Sequence, residues 1–165
     1  MATQKISYGT ATAFGLVSNL TSLGSSAAKP LGVIDNSVNL YTDAKVTLRI
    51  ACASSGGLST TGTIEAWLLE SVASTSAADF SDGIDPGGTA DIFSSLKNAK
   101  LLRIYNANAT SQIVEDTFDL TQQAGANPLI NVPKYWSIVI VNHTGTVLAA
   151  TSMAGTYTGI SYSVT

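Results

Sequence analysis

His143 and Cys52 have the clearest capacity for chemistry in this chain, and each is the single residue of its type. An imidazole can act as a general base and a thiol as a nucleophile, but each needs an orienting or activating neighbour. His143 lies in the turn sequence Asn142-His-Thr-Gly145, which predicts an exposed turn residue. Cys52 lies in an apolar alternating run with only Arg49 near it, which favours a small buried core residue. We expect neither to be catalytic.

Four aspartates fall in a long irregular segment at about 73–98, and their carboxylates could bind Ca²⁺. They are Asp79, Asp82, Asp85 and Asp91. Their spacing does not match an EF-hand loop, and the glutamate that ends such a loop is missing. Because Asp and Gly are also common turn residues, we predict no metal and no cofactor. The role of the acidic stretch from Asp79 to Asp91 stays open.

Glu115 and Asp116 are adjacent carboxylates on one predicted strand. Neighbours along a strand point to opposite faces, so these two cannot act together as a catalytic pair. A glycosidase would need two carboxylates about 5–10 Å apart, and these would have to come from different strands. That alternative stays open, but the small set of ionisable residues favours a protein that is not an enzyme.

Four aromatic residues could form a platform for sugar binding. Trp67, Trp136, Tyr105 and Tyr135 are the candidates, and the alternation of their strands places Trp67 and Tyr105 on outer faces. Aromatic residues in strands are more often core residues or interface anchors. Glycan binding is therefore the second reading of this chain.

Composition excludes several classes of partner. Only 12% of the 165 residues are charged, the net charge is −3 and the pI is about 4.8. The basic residues are scattered, so no positive stripe for nucleic acid or for an anionic membrane is expected. No apolar run approaches the roughly 20 residues of a membrane span. A mean hydropathy of +0.25 with so few charges suggests that a partner covers much of the surface.

The clearest structural signal is the alternation of apolar and polar residues, which predicts half-buried strands. Lys45–Ala53 places Val46, Leu48, Ile50 and Cys52 on one face. Further strands are predicted at 62–72, 100–107, 112–120 and 156–164. The segment 135–141 is apolar on both faces, which predicts a central strand.

Within two of these strands the pattern also predicts which side chains face the core. In 100–107, Leu102 and Ile104 share one face, opposite Leu101, Arg103 and Tyr105. In 112–120, Val114, Phe118 and Leu120 share one face. Residues 106–111 are predicted as the hairpin turn between these strands, and 142–145 as a second hairpin turn from which 146–150 return.

The first residues carry a weaker pattern. Residues 5–13 could form a strand, and 1–15 are either an arm on a neighbouring subunit or an edge strand of their own domain. No apolar run follows Lys5, so we expect no signal peptide and synthesis in a host cytoplasm. Taken together, the strands and turns predict a single domain over 1–165: an all-β, antiparallel β-sandwich that resembles a jelly roll.

Four stretches, taken in order, resemble a known family. They are 20–28 (LTSLGSSAA), 85–88 (DPGG), 94–97 (SSLK) and 132–145 (VPKYWSIVIVNHTG). In this order and spacing the chain, from Leu20 to Leu148, resembles the capsid decoration (cement) proteins, small virion proteins of tailed bacteriophages.

The resemblance implies a structural protein of the outer capsid surface. Such proteins are β-sandwich subunits, often homotrimers, that clamp neighbouring major capsid proteins and carry no catalytic residues. The expected function is thus to decorate and stabilise a phage capsid. The alternative is a module associated with a tail or head fibre that binds a host surface glycan, with Trp67 and Tyr105 in contact with the sugar.

Overall fold

The computed structural model describes residues 4–15, 17–71, 90–91, 99–123 and 131–164, and this part of the chain forms two antiparallel sheets. Sheet A contains β1 (Gln4–Tyr8), β2 (Thr12–Ala13), β5 (Asp43–Ala51), β9 (Ile113–Asp119) and β11 (Ala154–Val164). Sheet B contains β3 (Ala27–Pro30), β4 (Ile34–Asp35), β6 (Thr63–Ser71), β7 (Ala90–Asp91), β8 (Lys100–Asn106) and β10 (Tyr135–Asn142). A 3₁₀ turn (Val17–Leu20) and one short helix, α1 (Leu120–Gln123), complete the described elements.

The two sheets pack face to face around one core. Sheet A has the order β1-β11-β5-β9, with β2 also paired to β11. Sheet B has the order β7-β3-β10-β6-β8, with β4 also paired to β10. Buried side chains of β5 meet those of β6 and β10 between the sheets, among them Leu48, Ile64, Ile138 and Ile140. The prediction of an all-β antiparallel sandwich is confirmed.

Strands with clean alternation lie where the sequence predicts them. Val46, Leu48 and Ile50 of β5 are buried, and Val114, Phe118 and Leu120 point into the core from β9 and the start of α1. In β10 every residue from Trp136 to Asn142 is buried. The reason is that β10 lies between β6 and β3 and both its faces are covered: Ile138 and Ile140 pack in the core, and Val139 and Val141 pack in the cluster on the other face of sheet B.

Both predicted hairpins are wrong, because the strands on either side of each turn belong to different sheets. β8 pairs with β6 in sheet B, whereas β9 pairs with β5 in sheet A. Residues 107–112 therefore cross from one sheet to the other. Residues 146–150 also do not return along β10, since Leu148 forms a bridge with Cys52 at the end of β5. Turn residues show where a strand ends, but not which sheet receives the next one.

The predicted faces of β8 are altered by an irregularity in its pairing with β6. Ala66 pairs with Arg103 and Trp67 with Leu101, so Leu102 is an extra residue on β8. Such a bulge reverses the alternation beyond it. As a result Leu102 is buried, whereas Ile104 is exposed and Tyr105 packs against the core. The prediction that Leu102 and Ile104 share a face is wrong.

Residues 4–8 form an edge strand of their own domain. β1 pairs with β11 from Gln4–Val164 to Tyr8–Ile160, and β2 pairs further along the same strand. Phe14 then enters the core, with its ring centroid 6.0 Å from that of Trp136 and 5.5 Å from that of Tyr157. Of the two interpretations of residues 1–15, an arm on a neighbouring subunit or an edge strand, the structure shows the edge strand for residues 4–8.

Most of the long acidic segment lies outside the described residues. Residues 72–89 and 92–98 are in that part of the chain, including Asp79, Asp82 and Asp85. Within the predicted segment the structure describes β7, which pairs with β3 through Ala27–Asp91 and Ala28–Ala90.

Candidate interaction surfaces

His143 lies beside a carboxylate on the outer face of sheet B, rather than in an exposed turn as predicted. Its side chain is 25% exposed, and its Nε2 is 3.8 Å from Oε2 of Glu65. The same oxygen of Glu65 accepts a hydrogen bond of 2.8 Å from Nε1 of Trp67. Cys52 lies in the core between the sheets, where burial raises the pKa of its thiol. Sheet B separates the two residues, so they do not form a nucleophile and base pair.

Glu115 and Asp116 point to opposite faces of β9, as predicted. Glu115 accepts a 3.0 Å hydrogen bond from Nη1 of Arg49 on the outer face of sheet A. Asp116 Oδ2 lies 3.0 Å from Nε of Arg103 and 3.1 Å from Oη of Tyr105. Asp116 thus connects β9 of sheet A to β8 of sheet B. Burial, followed by the charge of Asp116, raises the pKa of Tyr105.

The four aromatic candidates do not form one platform. Trp136 is buried in the core, and Tyr105 is held on the core side by Asp116. Trp67 and Tyr135 pack on the opposite side of sheet B, against a small cluster of Ala28, Leu69, Val139 and Val141. The prediction that Tyr105 lies on an outer face with Trp67 is therefore wrong, and its cause is the bulge in β8.

The described residues contain no cluster of three or more His, Cys, Asp or Glu side chains suited to a metal ion. Asp91 is described as part of β7. Asp79, Asp82 and Asp85 lie outside the described residues.

Exposed apolar side chains concentrate at the two ends of the sandwich. At one end, β11 pairs with β5 from Ala154 to Ile160 and then continues to Val164 beside β1 alone. β1 and the end of β11 therefore form a two-stranded ribbon that extends beyond β5. On one face of the ribbon Ile6 lies opposite Tyr162, and Tyr8 lies opposite Ile160.

A loop packs against the opposite face of the ribbon and carries two more exposed apolar residues. The side chain of Asn36 donates to the carbonyl of Tyr41 (3.0 Å) and accepts from its amide (2.8 Å). The Tyr41 ring lies against Gly159, where a Cβ would overlap it, and Thr42 donates a 2.9 Å backbone bond to Ile160. Val38 and Leu40 belong to this loop.

We call this set the ribbon surface. Its members are Ile6, Tyr8 and Tyr162, which are 49, 64 and 44% exposed. Val38 and Leu40, 83 and 70% exposed, belong to the loop on the other face and are not counted with it. Large apolar side chains gathered in this way on a soluble domain mark a site of contact with another molecule.

The second surface is a cleft of about 480 Å³ at the other end of the sandwich. Ile113 and Val147, each 45% exposed, line the cleft. Its remaining walls are mostly small residues of the segments around Cys52, Ser111 and Thr151. We call this the cleft surface.

In the segments that line the cleft, three serine residues have a left-handed backbone conformation, which is unfavourable for residues other than glycine. Ser22, Ser111 and Ser152 have φ angles of 58°, 58° and 67°, in the left-handed region. All three line the cleft. Non-glycine residues in this region carry a cost of roughly 1–3 kcal/mol and occur preferentially where a site requires them. Three of the five described non-glycine residues with such φ angles thus lie on the walls of the cleft, and the other two are Ser26 and Leu40.

Asn142 holds two of the cleft segments in place. Its Nδ2 donates to the carbonyl oxygens of Leu23 (2.9 Å) and Thr146 (2.8 Å). Its Oδ1 lies 2.9 Å from the amide of Thr144 and 2.8 Å from the Thr144 hydroxyl. Asn142 is fully buried, and these contacts satisfy both its amide hydrogens and its carbonyl oxygen. The chain around Ser22 and Val147 is fixed as a consequence.

The two surfaces are separated by the length of β5. Asp43, the first residue of β5, pairs with Ile160 at the ribbon end. Cys52, just beyond its last residue, pairs with Leu148 at the cleft end. At about 3.3 Å per residue the ends are roughly 30 Å apart. Ile104 is also exposed, but it lies opposite Glu65 on β8 and lines neither surface.

Sequence reasoning missed both surfaces. The alternation of Ile6 and Tyr8 with Lys5 and Ser7 is the pattern of a half-buried strand, and it could have drawn attention to the ribbon. The cleft has no comparable signal, because its walls come from segments that are far apart in the chain.

Comparisons with protein-family models, with curated proteins and with solved structures find no match for this chain. Within the described residues, no helix has the length and apolar character needed to cross a membrane.

Proposed function

We propose that this protein is a structural binding module that connects two partner surfaces, and that it acts as a decoration protein on the outer capsid of a bacteriophage. The observation that carries the proposal is the placement of the exposed apolar residues on two surfaces at opposite ends of one sandwich. A module with contacts at both ends can hold two neighbouring molecules together.

The energetics favour contacts made by apolar burial. Full burial of an Ile or similar side chain contributes about 1.5–3 kcal/mol, so a few such residues at each end can support binding. With 12% charged residues the chain offers little electrostatic steering. The small side chains around the cleft also allow a partner backbone to approach closely.

Capsid decoration is the form of this function that the sequence supports, through its resemblance to decoration proteins. The proposed partners are the major capsid protein and further copies of this chain, with a homotrimer implied by the resemblance alone. On a shell, the same contact repeats at many sites, and two weak contacts within one subunit reinforce each other.

The experiment is an add-back assay on particles of the phage that encodes this chain, prepared without it. Purified wild-type protein is added, and its occupancy on the shell is measured by cryo-EM and by quantitative gel analysis. The ribbon variant carries Tyr8→Ser and Tyr162→Ser, and the cleft variant carries Ile113→Ser and Val147→Ser. The matched control is Ile104→Ser, which removes a 55% exposed apolar side chain outside both surfaces.

We expect regular density for the wild type on the outer shell and at least about tenfold weaker binding for each double variant, equivalent to 1.4 kcal/mol. The control should bind like the wild type. Melting temperatures of all variants identify any that fail to fold. Density confined to the tail or to a portal vertex would contradict the proposal and favour glycan binding, to be tested with Trp67→Ala.

A further inference from the structure

We infer that the ribbon surface is the contact between two copies of this chain, formed by antiparallel pairing of β1 with β1 of a second copy. The inference rests on the proposed function and deepens it, because it assigns the ribbon surface to self-association and leaves the cleft surface for the larger partner. It puts a twofold dimer in place of the homotrimer that the resemblance implies. Three observations carry it: an open backbone edge, a self-complementary strand and an uncovered apolar face.

The first observation is the direction of the backbone groups of β1. The amide of Gly9 donates to the carbonyl of Gly159 at 2.8 Å, so Gly9 and Gly159 form a hydrogen-bonded pair. In an antiparallel ladder the groups of successive residues point alternately toward and away from the partner strand. The N–H and C=O of Ile6 and Tyr8 therefore point away from β11. No described strand pairs with that side of β1, which is the edge of sheet A.

The second observation is that β1 is complementary to itself in one register. When two copies are related by a twofold axis at Ile6, Gln4 of each copy faces Tyr8 of the other and Lys5 faces Ser7. No like charges lie opposite each other in this arrangement. Parallel pairing in register would instead place Lys5 against Lys5, which is unfavourable. The charge pattern thus selects the antiparallel, isologous contact.

The third observation is that this register joins two apolar faces into one. Positions paired across the twofold axis lie on the same side of the combined sheet, so Ile6 and Tyr8 of both copies are adjacent. Tyr162 lies opposite Ile6 on each β11 and extends the stripe on both sides. Ile6, Tyr8 and Tyr162, which are 49, 64 and 44% exposed in one copy, thereby pack side by side with those of the other and lose part of their exposed area. Because β1 has five residues, the contact is at the small end of stable interfaces, and a dimer that depends on concentration is expected.

The test is the mass of the full chain in solution, measured by light scattering after size exclusion over a range of concentrations. We expect a shift toward twice the 17.0 kDa chain mass as concentration rises. Ile6→Lys places two ammonium groups across the twofold axis, and it should raise the dissociation constant at least tenfold. Ile104→Lys adds the same charge at an exposed apolar position on sheet B, and it should leave the dimer unchanged.

A backbone variant separates this contact from general loss of apolar surface. Ile6→Pro removes an N–H that points to the open edge but leaves the hydrogen bonds of Lys5 and Ser7 with β11 in place. It should abolish the dimer, and thermal melting at low concentration checks that the monomer stays folded. Ser7→Thr, on the other face of the ribbon, keeps all backbone donors and should retain the dimer.

Three results would overturn the inference. One is a single-chain mass at protein concentrations up to about 1 mM, at which even a contact of −4.1 kcal/mol gives a populated dimer. The others are a dimer that Ile6→Lys leaves intact and a mass of three chains, which the twofold register cannot give. The inference and the proposed function fail separately. A dimer that does not bind particles refutes capsid decoration, whereas a monomer that binds particles refutes the self-association.

Discussion

Asn142→Ala should be among the most destabilising single substitutions in this protein. Asn142 holds two segments to the end of β10, one through Leu23 and the other through Thr144 and Thr146, and its side chain is fully buried. Alanine keeps the backbone of β10 but removes every one of these side-chain contacts. The consequence should reach beyond the site, because these segments continue into the walls of the cleft.

The magnitude follows from the partners that the substitution leaves behind. The carbonyl of Leu23 still accepts a bond from the amide of Leu148, and the carbonyl of Thr146 can still accept from the hydroxyl of Thr144. Each lost bond to these two carbonyls then costs about 1 kcal/mol. The amide of Thr144 loses its side-chain acceptor in a buried position, which costs about 1–3 kcal/mol. The sum is about 3–5 kcal/mol, a large part of a typical total stability.

The assay is urea unfolding, followed by circular dichroism and by the fluorescence of the buried Trp136. The free energy of unfolding should fall by about 3–5 kcal/mol with an unchanged m-value. Asn106→Ala, at an exposed position on β8, is the matched control and should change stability by less than about 0.5 kcal/mol. A loss below about 1 kcal/mol for Asn142→Ala would show that the network contributes little, and the reasoning would be wrong.

Gly159→Ala should cost about 1–3 kcal/mol, since the new methyl group overlaps the ring of Tyr41 and that ring must move; unfolding in urea measures it. Tyr105→Phe should remove part of the loss of stability at alkaline pH. Burial raises the pKa of Tyr105 above its ordinary value of 10.0, so the unfolded chain releases the phenol proton at a lower pH than the folded chain does. The free energy of unfolding therefore falls as the pH rises above about 10, by at most about 1.4 kcal/mol per pH unit. Ile138→Asp should cost more than about 4 kcal/mol or prevent folding, because it places a carboxylate in the middle of a strand buried on both faces.

Controls and contradicting outcomes follow for these three predictions. A Cβ on Gly57 meets no atom within 4 Å, so Gly57→Ala should be nearly neutral, and equal losses at Gly57 and Gly159 would refute the packing argument. Identical stability profiles of wild type and Tyr105→Phe above about pH 10 would exclude the phenol as the titrating group. The control for Ile138→Asp is Val38→Asp, which adds the same charge at an exposed position and should change stability little. An unchanged melting temperature for Ile138→Asp would refute the assignment of β10 as a central strand.

The predictions that held depended on local pattern. The alternation in β5 and β9 was sufficient to place Leu48 and Phe118 in the core, because successive side chains of a strand always point to opposite faces. The continuous apolar run of β10 was sufficient to predict a strand covered on both sides. Local pattern failed at Tyr105, where one extra residue on β8 reverses the faces of everything that follows it.

The candidate surfaces could not be predicted, because they depend on which strands meet. Ile6 and Tyr162 are adjacent only because the first strand pairs with the last one. An alternating pattern is typical of a half-buried strand, but the ribbon extends beyond β5 and both side chains remain about half exposed. His143 shows the opposite error: its turn sequence predicted an exposed side chain, but the side chain is 25% exposed and lies beside Glu65 on the outer face of sheet B.

The sequence by itself determined the fold class of this protein and the inner face of most of its strands, since composition and an alternation with a period of two are local properties of each segment. Only the tertiary structure decided which sheet each strand joins, where the bulge falls and which apolar residues stay uncovered. The physical reason is that strand pairing is settled by contacts between segments distant in the chain, and a surface exists only where such contacts end.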